Sequence, residues 1–529
     1  MTFDIVLANG SIVDGSGRPA FRGDIAISGD RISAIGDLAA AESELRISVE
    51  GLTLAPGFID VHTHSDLAAF LPEGARELRL APLRQGVTTE ICGNCGFSTF
   101  PAESERMPEV VRHVQGLLGP NARAYGTLAE FAGALEEVPL LTNIGTLVGH
   151  GTLRADVMGF GNRVPDSGER DRLVYELEKA CDEGALGFSS GLIYSPGLYA
   201  GTEELIELAR VAARHHVPYV THMRDELDGV LNAIDEALLI GQESGSSVQI
   251  SHLKVAGRQN WGHSAAALAQ VEKARTDGLD VGIDVYPYTA GSTMLAALLP
   301  PWTNEGGLEA LISRLEQAAL RQQIARDCEH GIPGWQNLIA AAGWDGIVIA
   351  SAAGHPEVEG RAISSLAGEA GTTPIQFVCD LLVAEEARVL VVVHMMAEED
   401  VSRIVASPMA VIGSDGIPIP GKPHPRWAGS FARVLEVYSR EKGLLTLEQA
   451  VRKMTRESAL RFGLLDRGLI AVGSAADIVI FDPATIASHA DYDNPIAPPT
   501  GIRDVLINGN FAIRDASPTG VCVGRFLRR

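Results

Sequence analysis

Aromatic residues make up only 5% of the 529 positions, and cysteine occurs just six times. A chain this long can bury a core without covalent staples, so it needs no disulfide scaffold. Cys92, Cys95, Cys181, Cys328, Cys379 and Cys522 therefore read as reduced thiols of a cytoplasmic protein. Long apolar runs are missing too. "VLVVVHMM" (389–396) falls far short of the roughly 18 residues that a membrane helix needs. The start, "MTFDIVLANGSIVDG", has neither the basic opening nor the apolar stretch of a secretory leader. No block of Lys and Arg occurs, and 43 basic against 67 acidic residues leave a formal charge of −24. Such a field repels a phosphate backbone, so neither nucleic acid nor membrane is expected as a partner. A small anionic substrate would need local cations to override that field.

What is present falls into two textures. Residues 3–55 read as short strands broken by NG, DG and GD turns, as in "FDIVLANG" and "RGDIAISGDRISAIG". The same texture returns in "LIAVGSAADIVIFDP" (469–483) and "VLINGNFAIRD" (505–515). Residues 1–56 and 465–529 are therefore expected to build one small β-sandwich from both termini. Between them, over 57–464, short β-branched runs alternate with amphipathic stretches such as "TEELIELARVAARHH" (202–216), which predicts a (β/α)8 barrel. Ten strand candidates occur, from "GFIDV" to "AVIGSD", so one or two must lie outside the barrel. A helical insertion late in the barrel is expected at about 287–346, after the seventh strand. No Gly-rich phosphate loop follows an early strand, which disfavours a doubly wound sheet.

The strand ends carry the chemistry. His62 and His64, in "GFIDVHTHSDL", sit two residues apart, a spacing that turns both side chains to one side of a strand. "VTTEICGNCG" ends at Cys95, "YVTH" at His222, "VQISH" at His252 and "AVIGSDG" at Asp415. A single histidine at such a position is ordinarily a hydrogen-bonded structural residue. Six such donors from five strand ends converge on the face where barrel active sites form, and imidazole with thiolate suits zinc. Six donors exceed one tetrahedral ion, so a second position is expected, with Cys95 bridging. Cys92-x-x-Cys95 could also be a redox pair, but no thioredoxin-like context surrounds it. Cys92 is expected to pack in the interior.

"APGFIDVHTHSD" with a distant "GSDG" and split β-tails resembles the amidohydrolase superfamily. "QGVTTEICGNCG", "THMRDE", "ISHLK", "DVYPYTAGST" and "LLPPW" resemble its D-aminoacylase branch, the N-acyl-D-amino-acid deacylases. The resemblance runs nearly end to end. It implies a tight zinc on Cys95, His222 and His252, and a looser second position on His62, His64 and Asp415 with Cys95 shared. The cysteine would stand where many amidohydrolases use a carboxylated lysine. Asp415 is expected to serve as the general base and then to protonate the leaving amine. The resemblance further assigns Lys254, Tyr286 and Ser292 to the substrate carboxylate, with Tyr288 able to replace Tyr286. Arg426, eleven residues past Asp415, fits as an added anion clamp.

Relatives that take D-glutamate are expected to carry a basic residue about six positions beyond Ser292, where this chain has Leu298. Hydrophobic D-side chains are therefore expected. His150 and Arg154 in "LVGHGTLR" match the family's texture without a role, and a structural histidine is favoured there. Three other readings stay open: a dipeptidase for a C-terminal D-residue, a hydantoinase- or dihydroorotase-like cyclic amidohydrolase, and a non-catalytic metal module. The cyclic-amide enzymes would show a bridging lysine on a middle strand, and no strand end read here offers one. The sequence decides neither the acyl group nor the oligomeric state.

Overall fold

The computed structural model describes residues 2–119 and 121–529. Both tails join one nine-stranded sheet, with the strand Phe3–Ile12 at its hub. This strand pairs antiparallel with Phe21–Ser28 and parallel with Ser43–Ser48 and Thr53–Pro56. Thr53–Pro56 then pairs antiparallel with Ile478–Phe481, which brings the C-terminal strands into the same sheet. Alternate side chains from both tails, among them Ile5, Ile25, Ile27, Ile478, Ile480 and Leu506, share one apolar core. The period-2 pattern sorts these side chains to one face, and in the central strands the other face is buried as well, with Ala55, Val479 and Phe481 in the main core.

The turn signals acted in two ways. Asn508 and Gly509, both with positive φ, form the two-residue turn between Ile502–Ile507 and Asn510–Arg514. Asn9–Gly10 does not turn the chain. It makes a bulge inside the strand Phe3–Ile12, with Asn9 at φ 65° and its N–H donating to Asp24 Oδ1 at 2.8 Å.

Eight parallel strands make the barrel. In order they are Phe58–Asp60, Val87–Cys92, Asn143–Thr146, Phe188–Gly191, Tyr219–His222, Val248–Ile250, Val281–Val285 and Ala410–Ile412. The third bends at Leu147 and continues as Val148–Gly149. Its first half pairs with the second strand and its second half with the fourth. Between the eighth and first strands the contact is a bridge from Thr63 to Gly416, with Ser414 N donating to Asp60 Oδ1 at 2.8 Å. Ile59, Ile91, Leu147, Leu186, Val220 and Val411 pack inside the ring. The outer helices follow the expected spacing. In Thr202–Arg214, Leu205, Leu208, Ala209 and Ala212 are buried along one stripe.

"GIVIAS" and "VLVVV" lie outside the barrel. As Ile347–Ala352 and Val389–His394 they pair antiparallel with each other, and the second of them pairs with Ala290–Met294. This three-stranded sheet and the helices Leu308–Leu315, Ala318–His330, Ile363–Glu369 and Pro374–Ala384 all fall between the seventh and eighth barrel strands. The excursion overhangs the C-terminal ends of the strands and supplies part of the wall of the site. Among the described residues, no helix is long and apolar enough to cross a membrane.

Candidate metal centre

His62, His64, Cys95, His222, His252 and Asp415 meet at the C-terminal mouth of the barrel, and all six are at least 95% buried. They form two groups that share Cys95. His62, His64, Cys95 and Asp415 make one, and Cys95, His222 and His252 the other, with ligand atoms in each group within 4.8 Å of one another. Cys95 Sγ stands 3.3 Å from His62 Nε2 and 3.5 Å from His252 Nε2. Asp415 Oδ1 lies 3.2 Å from His64 Nε2 and 3.4 Å from His62 Nε2. Both ring nitrogens of His222 are buried without a hydrogen-bond partner. Buried polar atoms are rarely left so, and nitrogen and sulfur donors clustered this tightly suit a borderline-soft cation.

Local backbone geometry aims these side chains. Cys95, His252 and Asp415 each lie just past a strand end in left-handed backbone, at φ 53°, 33° and 52°. Non-glycine residues adopt that region at a cost of order 1–2 kcal/mol, here repeated at three donors. Neighbouring glycines make the approach feasible. A Cβ on Gly191 would lie 2.0 Å from Cys95 O, and one on Gly413 would lie 2.6 Å from His62 Cβ.

A ring of buried carboxylates holds the donors, and sequence reasoning did not single these out. Asp284, on the seventh strand, faces His62 Nδ1 at 3.0 Å and accepts from His252 N at 2.8 Å. Glu226 approaches His252 Nδ1 at 3.1 Å and takes Lys254 Nζ at 2.7 Å. Such partners fix ring orientation and tautomer in metal sites. The available signal was a carboxylate beside each motif, in "THMRDE" and "GIDVYPY". Burial opposes charge on Cys95, but His62 and His252 outweigh it and hold the thiol well below its usual range. Burial likewise opposes charge on Asp415, and Arg426 and His62 keep its carboxyl well below the usual carboxylate range.

Lys254, Tyr286, Ser292 and Arg426 line the same pocket. The Lys254 ammonium and Arg426 guanidinium lie 5.6 and 4.7 Å from the centre of the Tyr286 ring. Arg426 opens the helix Arg426–Arg433 and sets Nη1 2.7 Å from Asp415 Oδ2. Tyr286 Oη and Arg426 Nε are buried with no hydrogen-bond partner. Ser292 is half-buried on Ala290–Met294, and its carbonyl accepts from Arg426 Nη2 at 3.3 Å. Leu298 sits 1% exposed in the main core, so the pocket's apolar wall comes from Ile193, Leu338, Val393, Met395 and Ile417 instead.

Cys92 is fully buried, with Sγ against Gly145 O at 3.5 Å. Burial, reinforced by Asp66, pushes its thiol well above the usual range, which suits packing rather than redox chemistry. His150 and Arg154 both pair with buried Glu204 on the helix Thr202–Arg214, with His150 Nε2 at 2.8 Å.

The amidohydrolase family profile matches residues 47–513. D-aminoacylase of Alcaligenes xylosoxydans xylosoxydans is 38% identical over 100% of this chain and 98% of its own. N-acyl-D-glutamate deacylase of the same organism is 38% identical over 99% of this chain and 96% of its own. A crystal structure of N-acyl-D-glutamate deacylase from Bordetella bronchiseptica, complexed with zinc and a phosphonate mimic of the tetrahedral intermediate, superposes with a TM-score of 0.85. It is 34% identical, and all of both chains is covered. The chain belongs to the amidohydrolase family, in the group that holds D-aminoacylase and N-acyl-D-glutamate deacylase.

Proposed function

We propose that this protein is a zinc-dependent hydrolase of N-acyl-D-amino acids with apolar side chains, releasing a carboxylate and a free D-amino acid. The observation that carries the reading is Cys95, one thiol common to both donor groups at the barrel mouth. The tight ion belongs on Cys95, His222 and His252, and a weaker one on His62, His64 and Asp415 with Cys95 shared. Zinc at these donors supplies Lewis acidity and, at neutral pH, a nucleophile.

Asp415 is ionised at neutral pH and faces the pocket through Oδ1, so it can take a proton from the attacking water. It then returns that proton to the departing amine nitrogen. Lys254, Tyr286, Ser292 and Arg426 receive the substrate carboxylate. What supports this assignment is a pair of buried cations, with partnerless Tyr286 Oη and Arg426 Nε, in a chain of net charge −24. The D-configuration rests on kinship with the deacylases. Because the two relatives named for different substrates share the same identity, the choice of side chain rests on the lining. Leu338, Val393 and Met395 offer no charge to an acidic group. Six unpaired cysteines suit work in the reducing cytoplasm.

The test is a hydrolysis panel of N-acetyl-D- and N-acetyl-L-amino acids with metal content measured on the same sample. Turnover should be confined to D-substrates, vanish with a zinc-selective chelator and return with zinc. Equal turnover of L-substrates would sink the assignment.

A further inference from the structure

We propose that a chamber beside the metal pocket binds the acyl limb of the substrate, and that acyl chains well beyond acetyl are preferred. The proposal rests on the reading of the site as an N-acyl-D-amino-acid hydrolase and adds the acyl class to it.

The metal pocket is narrow, about 30 Å³, room for about two waters. Next to it lies a chamber of about 550 Å³, and the two share Ile193 and Tyr194 as a common wall. That volume is in the range of ligand sites, about 300–1,000 Å³. The chamber is built from the helix Met107–Leu118 and the segments after the third and fourth barrel strands, closed by residues 294–311 of the excursion. Lys254, Tyr286 and Arg426 follow the sixth, seventh and eighth strands. Lys254, Tyr286 and Arg426 therefore stand across the ring from the helix Met107–Leu118 and the segments that form most of the chamber, while Ser292 and Met294, on one strand, mark where cradle and chamber meet. In a linear N-acyl amino acid the carboxylate and the acyl tail likewise flank the scissile amide from opposite ends, whereas the amino-acid side chain branches next to the carboxylate. With the carboxylate on Lys254 and the amide at Cys95, the tail points at the partition of Ile193 and Tyr194, whose Oη is hydrogen-bonded to Thr293 Oγ1 at 3.0 Å, and reaches the chamber by displacing that contact.

The lining selects an uncharged tail. Met158, Phe160, Met294, Leu308 and Leu311 give apolar surface. The chamber's three arginines each face a glutamate: Arg106 to Glu109 at 3.5 Å, Arg112 to Glu309 at 3.0 Å and Arg388 to Glu386 at 2.7 Å. Glycine keeps the space open. A Cβ on Gly116 would lie 3.2 Å from Met294 Sδ, and one on Gly307 would lie 3.3 Å from the Phe160 ring.

The experiment is a chain-length series, N-acetyl to N-octanoyl, on D-methionine. In the wild-type enzyme kcat/KM should rise about 3–4-fold per methylene over the first additions, and at least about tenfold in total. Gly116→Leu fills the space beside Met294 at a helix position where leucine is the better former. It should leave N-acetyl-D-methionine within about threefold while lowering the octanoyl substrate at least about tenfold. Ala297→Phe tests the same point from the facing wall. A flat or falling series overturns the proposal, as does an unchanged series in both variants. A gain that appears instead on lengthening the D-side chain, with acetyl held constant, gives the chamber to the side chain and also overturns it. Absence of turnover at every length removes the hydrolase reading itself, whereas turnover indifferent to length removes the chamber alone.

Discussion

Arg426 Nη1 lies 2.7 Å from Asp415 Oδ2, an ion pair with both partners buried. The pair commits one carboxylate oxygen to the guanidinium and leaves Oδ1 to face His62 and His64. It therefore leaves Oδ1 as the oxygen not held by the guanidinium, the one that the proposed base would use, and it keeps the carboxyl ionised despite burial.

Asp415→Asn keeps the shape and removes the base. It should lower kcat by about 10²- to 10⁴-fold, the usual range for a positioned acid–base group. Metal at Cys95, His222 and His252 should remain, because Asp415 is not in that donor group. Steady-state kinetics on protein of measured metal content decides the point, and undiminished kcat would remove Asp415 as the base.

Cys95 belongs to both groups and His64 to one. Cys95→Ala should strip metal from both positions, while His64→Ala should empty only the weaker one and leave about one tightly held ion. Elemental analysis after dialysis against a weak chelator distinguishes them. Two ions retained by Cys95→Ala would contradict a shared thiolate.

Lys254→Met should raise KM for N-acetyl-D-methionine by about 10- to 100-fold with a smaller effect on kcat. A hydrogen bond from a charged donor contributes about 1.5–3 kcal/mol. In the wild type Lys254 is also tied to Glu226 at 2.7 Å, so it is held near the pocket before substrate arrives. A pure kcat effect, with KM unchanged, would move Lys254 out of carboxylate recognition.

That these six residues converge was legible because they follow five β-branched apolar runs, where a polar residue has the barrel mouth to face. Glu226, Asp284 and Glu204 were not, because each acts across a turn or between elements, where sequence spacing carries no distance. "GIVIAS" and "VLVVV" could not be sorted from barrel strands for a related reason. A short apolar run reads alike in any buried sheet, and only the pairing with Ala290–Met294 separates them. Asn9–Gly10 shows the same limit at smaller scale. Left-handed backbone serves a bulge as well as a turn, and the acceptor on Asp24 that favours the bulge is remote in sequence. Its distance from Ser292 points Leu298 at the pocket, but the short helical turn Leu295–Leu298 carries it into the core.

Glu204 makes stability depend on pH. Burial alone would raise its carboxyl, but His150 and Arg154 outweigh burial and lower it from 4.5 to about 2. A depressed folded-state value means that its stabilisation is complete above the unfolded value and fades as pH falls from about 4.5 towards 2. The shift corresponds to about 3 kcal/mol. Glu204→Gln should lower Tm at pH 7, and the gap to wild type should narrow as pH falls from 5 towards 3. A gap that stays constant across this window would mean that Glu204 is not held ionised by the pair.

Side-chain selectivity is the sharpest test of the lining. Leu338, Val393, Met395 and Ile193 line the pocket, and its two cations, Lys254 and Arg426, are the ones proposed for the substrate's own carboxylate. A D-glutamate side chain would bring a second carboxylate into this space and lose its water without gaining a partner, whereas D-leucine or D-methionine loses nothing polar. Leaving a buried polar group unpaired costs about 1–3 kcal/mol and more for a charge. kcat/KM for N-acetyl-D-leucine or N-acetyl-D-methionine should therefore exceed that for N-acetyl-D-glutamate by at least about 10²-fold. Placing a cation in the wall, as in Leu338→Arg, should shrink that ratio by raising the D-glutamate rate. A wild-type enzyme that prefers D-glutamate would show that one of the two cations serves the side-chain carboxylate, and that the apolar wall does not set the choice.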